Sequence, residues 1–219
     1  MTNKKLILLC SLFVSSAGYS TKVEVINKFK HPFYAGALGG YGSTTWEGLV
    51  PSDENLNLAM SMSTPIDVRE GGGVWGFLAG YELNPYFALE ANYVHYPDAT
   101  VFFDPMSLFS FNQGDKTELL TRTETINLMG KIMMFIPNTE IRAYSSAGVA
   151  EVHRNDFLIK QWRLSPTFGV GLNYHFTDYL MGELAGNYTA GFGEAQLNPT
   201  DSYFPFLYSV SLRIAYCFG

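Results

Sequence analysis

Six ionisable side chains stand out because each falls on the polar face of a segment in which apolar and polar residues alternate. They are Glu82, Glu90, Lys131, Arg142, Glu183 and Arg213, three acidic and three basic. If those polar faces converge, the charges must pair, since an isolated buried ion costs several kcal/mol. Two chemistries are open to such a set. One is a fixed salt-bridge plug that replaces a hydrophobic core. The other is a gate, in which ion pairs exchange partners and briefly open a narrow ion path. Two histidine groups are the remaining candidates: His95 with Asp98, and His153 with Glu151 and Asp156. Neither has a serine nucleophile at a recognisable spacing, and both are expected to be solvated surface histidines. No metal-ligand spacing, phosphate loop or nucleotide motif occurs. No catalytic residue, metal or cofactor is therefore expected.

The elements that would carry these residues are read most clearly from the end of the chain. In Phe206 to Gly219, alternate residues Phe206, Tyr208, Val210, Leu212, Ile214, Tyr216 and Phe218 make one apolar face. Leu207, Ser209, Ser211, Arg213, Ala215 and Cys217 make the other. A period of two is an extended strand. Aromatics at both ends with aliphatics between fit a strand crossing a bilayer, its rings at the two interfaces.

Seven earlier segments repeat the pattern, at Phe33–Trp46, Gly73–Leu83, about Phe87–Val94, Thr123–Phe135, Glu140–Val152, Arg163–Phe176 and Tyr179–Tyr188. Tight-turn signals follow the second, fourth and sixth strands at Asn84-Pro85, Pro137-Asn138 and Thr177-Asp178. Longer connections follow the first, third, fifth and seventh. Glu47–Gly72 reads as a polar, irregular loop. Pro97–Arg122 reads as a second loop, whose Phe102, Phe103, Phe109 and Phe111 pack onto a barrel rim or rest at the membrane interface. The expected fold is all-β: an eight-stranded antiparallel up-and-down transmembrane β-barrel over residues 33–219, with short periplasmic turns and longer external loops. Its lipid-facing belt is Trp75, Phe77, Tyr81, Phe87, Tyr93, Tyr174, Tyr208, Tyr216 and Phe218. Its interior is only wide enough for side chains to fill it. Counted from the nearest short turn, all six charges lie within about 20 Å of the periplasmic rim, at roughly 3.3 Å per residue. On this reading Lys131 stands beside Glu82 and Glu90, and Glu183 beside Arg213.

The chain opens on Lys4 and Lys5, an apolar run from Leu6 to Val14 and the small residues Ser15 to Gly18 and Ser20. This describes a signal peptide over 1–20, cleaved after Gly18 or Ser20, followed by a periplasmic lead-in over 21–32. Cleavage leaves 12 basic and 20 acidic residues, a net charge of −8 that argues against nucleic-acid binding. It also leaves one cysteine, Cys217, which is read as a packed thiol. No apolar run of 18 residues follows, so membrane-spanning helices are not expected. Aromatic content of 16% with charged residues at only 16% suits strands that are half greasy and half polar.

Phe33-Tyr34-Ala35-Gly36, Tyr86-Phe87-Ala88-Leu89-Glu90, Ser146-Ala147-Gly148-Val149-Ala150, Phe168-Gly169-Val170-Gly171-Leu172-Asn173-Tyr174 and the aromatic last strand carry a resemblance. The chain resembles the small OmpA-like or opacity-type outer-membrane β-barrel proteins over essentially its whole mature length. The resemblance implies a Gram-negative outer membrane, export through the Sec pathway, assembly by the barrel insertion machinery, and interior charges at positions such as Glu90 and Lys131. Family members usually end on the aromatic residue, whereas here Gly219 follows Phe218. The expected function is a structural surface barrel whose external loops mediate adhesion or host contact. The alternatives are a narrow channel or small hydrophobic-solute transporter resembling the OmpW class, and a lipid-modifying enzyme. The expected partners are outer-membrane lipid and lipopolysaccharide, the assembly machinery and a host or surface ligand.

Overall fold

Strict alternation in the last strand sets the pattern for the molecule. In the computed structural model, which describes residues 31–50, 65–192 and 203–219, Leu207–Phe218 is buried and exposed at successive residues throughout. The exposed side is the apolar one, and the buried side carries Ser209, Ser211 and Arg213. That is the inverse of a strand in a water-soluble sheet, and the same inversion recurs around the barrel.

The strands are β1 Phe33–Thr44, β2 Pro65–Arg69, β3 Gly72–Asn84, β4 Phe87–His95, β5 Ala99–Phe103, β6 Glu118–Phe135, β7 Ile141–Asn155, β8 Lys160–His175, β9 Leu180–Thr189 and β10 Leu207–Phe218. A 3-10 turn at Trp46–Leu49 and a short helix α1 at Leu108–Asn112 lie in the connections. Eight strands, all but β2 and β5, close an antiparallel barrel, sealed by β1 against β10 from Phe33↔Phe218 to Thr44↔Leu207. Following opposed residues once round, Phe33 leads through Tyr81, Leu89, Gly130, Ala147, Phe168, Tyr188 and Tyr208 back to β1 at Ser43, ten residues on. With ~3.3 Å per residue and ~4.8 Å between strands, this stagger tilts the strands by about 40° and gives a backbone radius of about 8 Å. Side chains alone fill such an interior.

Each short turn is held by a side chain that accepts backbone N–H groups left over from the ladder. Asn84 Oδ1 accepts from Tyr86 and Phe87, Thr139 Oγ1 from Ile141, and Thr177 Oγ1 from Tyr179 and Leu180. Asn138, at φ +63°, supplies the left-handed residue of the second turn, a conformation asparagine tolerates well.

The long-loop end departs from the sequence reading. The connection read as irregular, Glu47–Gly72, contains β2, and the one read as Pro97–Arg122 contains β5, α1 and the first five residues of β6. β2 pairs with β5, and β5 with the outer end of β6, so the barrel wall continues upward on one side as an added sheet. The reason is packing. Ala99, Val101 and Phe103 alternate inward and bury a face against Trp46, Phe109, Leu119 and Tyr203. Phe103 and Phe109 stack at 3.8 Å there, while Phe111 is exposed and Phe102 lies beneath Arg69. The expected signal peptide and, apart from His31 and Pro32, the lead-in lie outside the described residues.

Candidate functional site: an ionic plug inside the barrel

All six charged residues expected inside have buried side chains on the inner face. Four of them meet. Lys131 Nζ lies 2.9 Å from Glu183 Oε2 and also touches Glu90 Oε2. Arg213 Nη1 lies 2.9 Å from Glu90 Oε1 and 2.9 Å from Glu183 Oε1. Each cation therefore holds both anions, and none of the four residues is more than 5% exposed. The strand tilt puts all four on nearly one level, within about 3 Å along the barrel axis. The remaining acceptor capacity is taken up by Tyr34 Oη donating to Glu90, Tyr144 Oη to Glu183 and Asn92 Nδ2 to Glu90. Two positive and two negative charges, each hydrogen-bonded, form a neutral plug across the lumen.

The other two residues form a separate site about 8 Å nearer the short-turn end. Arg142 grips Glu82 with two nitrogens, at 2.6 and 3.2 Å, and its Nε donates to Asn173. His175 Nε2 stands 2.6 Å from Arg142 Nη2. The expected grouping is thus corrected. Lys131 reaches Glu90 but its ion-pair partners do not include Glu82, whose partner is Arg142 on the far side of the lumen. Chain neighbourhood does not decide who pairs across an interior this narrow. Tyr34, Asn92 and Asn173 were not singled out in the sequence, although their inward parity was readable.

The two histidine groups come together on the outer face. Trp75, His95, Glu124, His153 and Trp162 are directly opposed on five successive barrel strands. His95 Nδ1 is 3.9 Å from Glu124 Oε1, and its ring lies 5.2 Å from that of Trp75. His153 stacks on Trp162 at 4.2 Å and is 8% exposed, so it is a packed residue and not the solvated one expected. Asp156 does not join it but binds Arg154, and Asp98 binds Arg122. No serine stands in this row.

Below this row the outer face is apolar except at Ser145 and Glu151, both exposed on β7. Tyr81, Phe87, Tyr174, Tyr216 and Phe218 ring the short-turn end, and Trp75, Tyr93 and Tyr208 lie about 18 Å higher, with Phe77 between. All are exposed except Tyr93, half-buried against Trp75.

A third cluster, unread in the sequence, lies at the long-loop end. The wholly buried Arg154 donates from Nε to Asp156 (2.6 Å) and from Nη1 to the Tyr203 carbonyl, with its guanidinium 4.8 Å from the Trp46 ring. Glu70 accepts from the Trp46 and Glu47 backbone N–H groups and from Thr44 Oγ1. Burial pushes the Glu70 carboxyl above its ordinary value, against the pull of those three donors. The folded chain therefore holds this proton more tightly than the unfolded one. Its contribution is complete below the ordinary carboxylate range and is lost as pH rises through the raised value. Hydrogen-exchange protection of the Trp46 amide, corrected for intrinsic rates, is expected to fall over that rise, and Glu70→Gln is expected to flatten the profile.

Comparison with known proteins agrees with this architecture. The profile of the family described as outer membrane protein beta-barrel domain matches residues 6–209. No curated protein matches. Among solved structures, Neisserial surface protein A aligns with a TM-score of 0.53 and 14% identity over 85% of this chain and 97% of its own. OprG from Pseudomonas aeruginosa aligns with a TM-score of 0.50 and 11% identity over 86% and 97%. The N-terminal barrel domain of Pseudomonas aeruginosa OprF gives 0.45 and 15% over 84% and 97%. At such identities the likeness to the first two is one of fold.

Proposed function

The chain belongs to the outer membrane protein beta-barrel domain family, and from that premise we propose that it is a structural barrel of the Gram-negative outer membrane that presents its capped long-loop end to the surroundings. The observation that carries this reading is the four-residue ionic plug. It leaves each charge paired twice across the lumen, at an exposure of 5% or less. An interior filled in this way acts as a core. The outer face, with its two aromatic rings about 18 Å apart, meets membrane lipid and, in the outer leaflet, lipopolysaccharide. The β2–β5–β6 extension is the surface offered to a host or surface ligand. Export by the Sec pathway, cleavage after Gly18 or Ser20 and insertion by the barrel assembly machinery complete the proposal, with residues 33–219 as the barrel domain. No enzymatic role is proposed: His95 and His153 are engaged with Trp75, Glu124 and Trp162.

Planar-bilayer recording tests this. Purified protein is expected to give no steady conductance, with at most rare, brief openings. Steady openings would instead support the second reading, a narrow channel or transport barrel. One observation favours that reading: Lys131 and Arg213 each contact both Glu90 and Glu183, so either pairing can loosen while the other holds.

A further inference from the structure

The polar cluster around Arg154 is not explained by a plug at the other end of the lumen. Arg154 lies on the inner face of β7, about 20 Å along the axis beyond the ionic quartet. It joins three connections that are remote in sequence: Trp46 after β1, Asp156 after β7 and Tyr203 before β10. Trp46 and Tyr203 lock edge to face at 4.9 Å, and Tyr203 Oη donates to the Thr45 carbonyl. Each of Trp46, Arg154 and Tyr203 is at most 4% exposed. A fully buried guanidinium so far above the plug has no role in pairing the plug's charges.

Between the two levels the interior is packed by buried apolar side chains, among them Leu38, Val74, Leu78, Val94, Tyr96 and Val152, with polar ones interspersed round the wall. Asn92, Thr125, Asn127, Ser165, Thr167 and Ser209 face inward there, all buried. Thr123 Oγ1 and Asn127 Oδ1 have no protein partner among the described residues, although each atom is buried.

We propose that the barrel is closed a second time, at its outer mouth, by a latch centred on Arg154. Solutes outside the cell meet the latch first. They reach the lumen only when Arg154 lets go of Trp46, Asp156 and Tyr203. The barrel then has two barriers in series, the inner one ionic and the outer one a cation–aromatic knot between loops. The latch is independent of whether the quartet is a fixed core or a gate, and its test can fail while that reading stands.

The test places a thiol below the latch. Ser209 faces inward on β10 and is 4% exposed, between the two levels. Ser209→Cys is made in a Cys217→Ser background, and whole cells are treated with the membrane-impermeant 2-sulfonatoethyl methanethiosulfonate. With Arg154 intact, modification is expected to be slow. Arg154→Gln is expected to speed it about a hundredfold, the scale set by breaking a buried charge network that governs local opening. Trp46→Leu, which keeps Arg154 paired with Asp156, serves if Arg154→Gln does not fold, and is expected to act in the same direction. Gly39→Val, on the outer face of β1 where a Cβ would meet only the Val74 carbonyl oxygen at 4.0 Å, is expected to leave the external rate unchanged. Rapid modification of the parent, no acceleration in a folded latch variant, or equal acceleration by Gly39→Val would each overturn the proposal.

Discussion

Replacing Lys131 by methionine is expected to lower the free energy of unfolding by about 3–5 kcal/mol, the cost of removing one partner from a buried ion pair. The substitution leaves Glu90 and Glu183 to share Arg213, and the quartet passes from neutral to a net charge of −1 with every member at or below 5% exposure. Water cannot relieve the excess charge at that depth. Met approximates the volume of the lysine stem, so loss of packing is a minor part of the effect. The remedy follows from the same count of charges. Lys131→Met combined with Glu183→Gln restores neutrality, keeps the Glu90–Arg213 pair and is expected to recover most of the loss. Urea midpoints of the folded band in lipid vesicles measure both. If the double variant is as unstable as the single, charge balance is not what holds these residues together.

Closure of the barrel gives the second large effect. Gly36 faces inward on β1 opposite Ala215, and a Cβ built on it would fall on the Ile214 carbonyl oxygen and the Ala215 Cα. The obstacle is backbone of the partner strand, which cannot rotate away as a side chain does. Gly36→Val is therefore expected to prevent β1 from seating on β10, and a barrel with an open edge has unpaired backbone that lipid does not tolerate. No heat-modifiable folded species should form. Gly39→Val is the control: three residues along the same strand and turned outward, its Cβ would meet only the Val74 carbonyl oxygen, at 4.0 Å. That variant should fold and gain a lipid-facing methyl pair on a β-branched strand former. Equal folding of the two would remove steric closure as the reason for glycine at 36.

Much of the wall was legible beforehand because parity is local. Whether Lys131 or Ile132 points inward depends only on which of two faces is apolar, and a period of two carries that choice through the strand. The belt residues and the six interior charges follow from it. The outer sheet was less legible for the opposite reason. Pro65–Arg69 and Ala99–Phe103 are five-residue strands whose partners are each other and β6. Nothing in either segment announces a partner more than thirty residues away. Arg154 was missed by a boundary: had the fifth strand been carried two residues beyond Val152, its inward parity would have been evident.

By itself, then, the sequence determined the side on which each residue of the wall lies, and with it the eight-stranded, greasy-outside barrel. What only the tertiary structure decided is who meets whom inside. Residues on tilted strands share a level according to the ten-residue stagger, not according to their count from a turn. Glu90, Lys131, Glu183 and Arg213 come from four strands and converge, while Glu82 is left to Arg142. The stagger is a property of the closed ring of strands, so no single strand contains it.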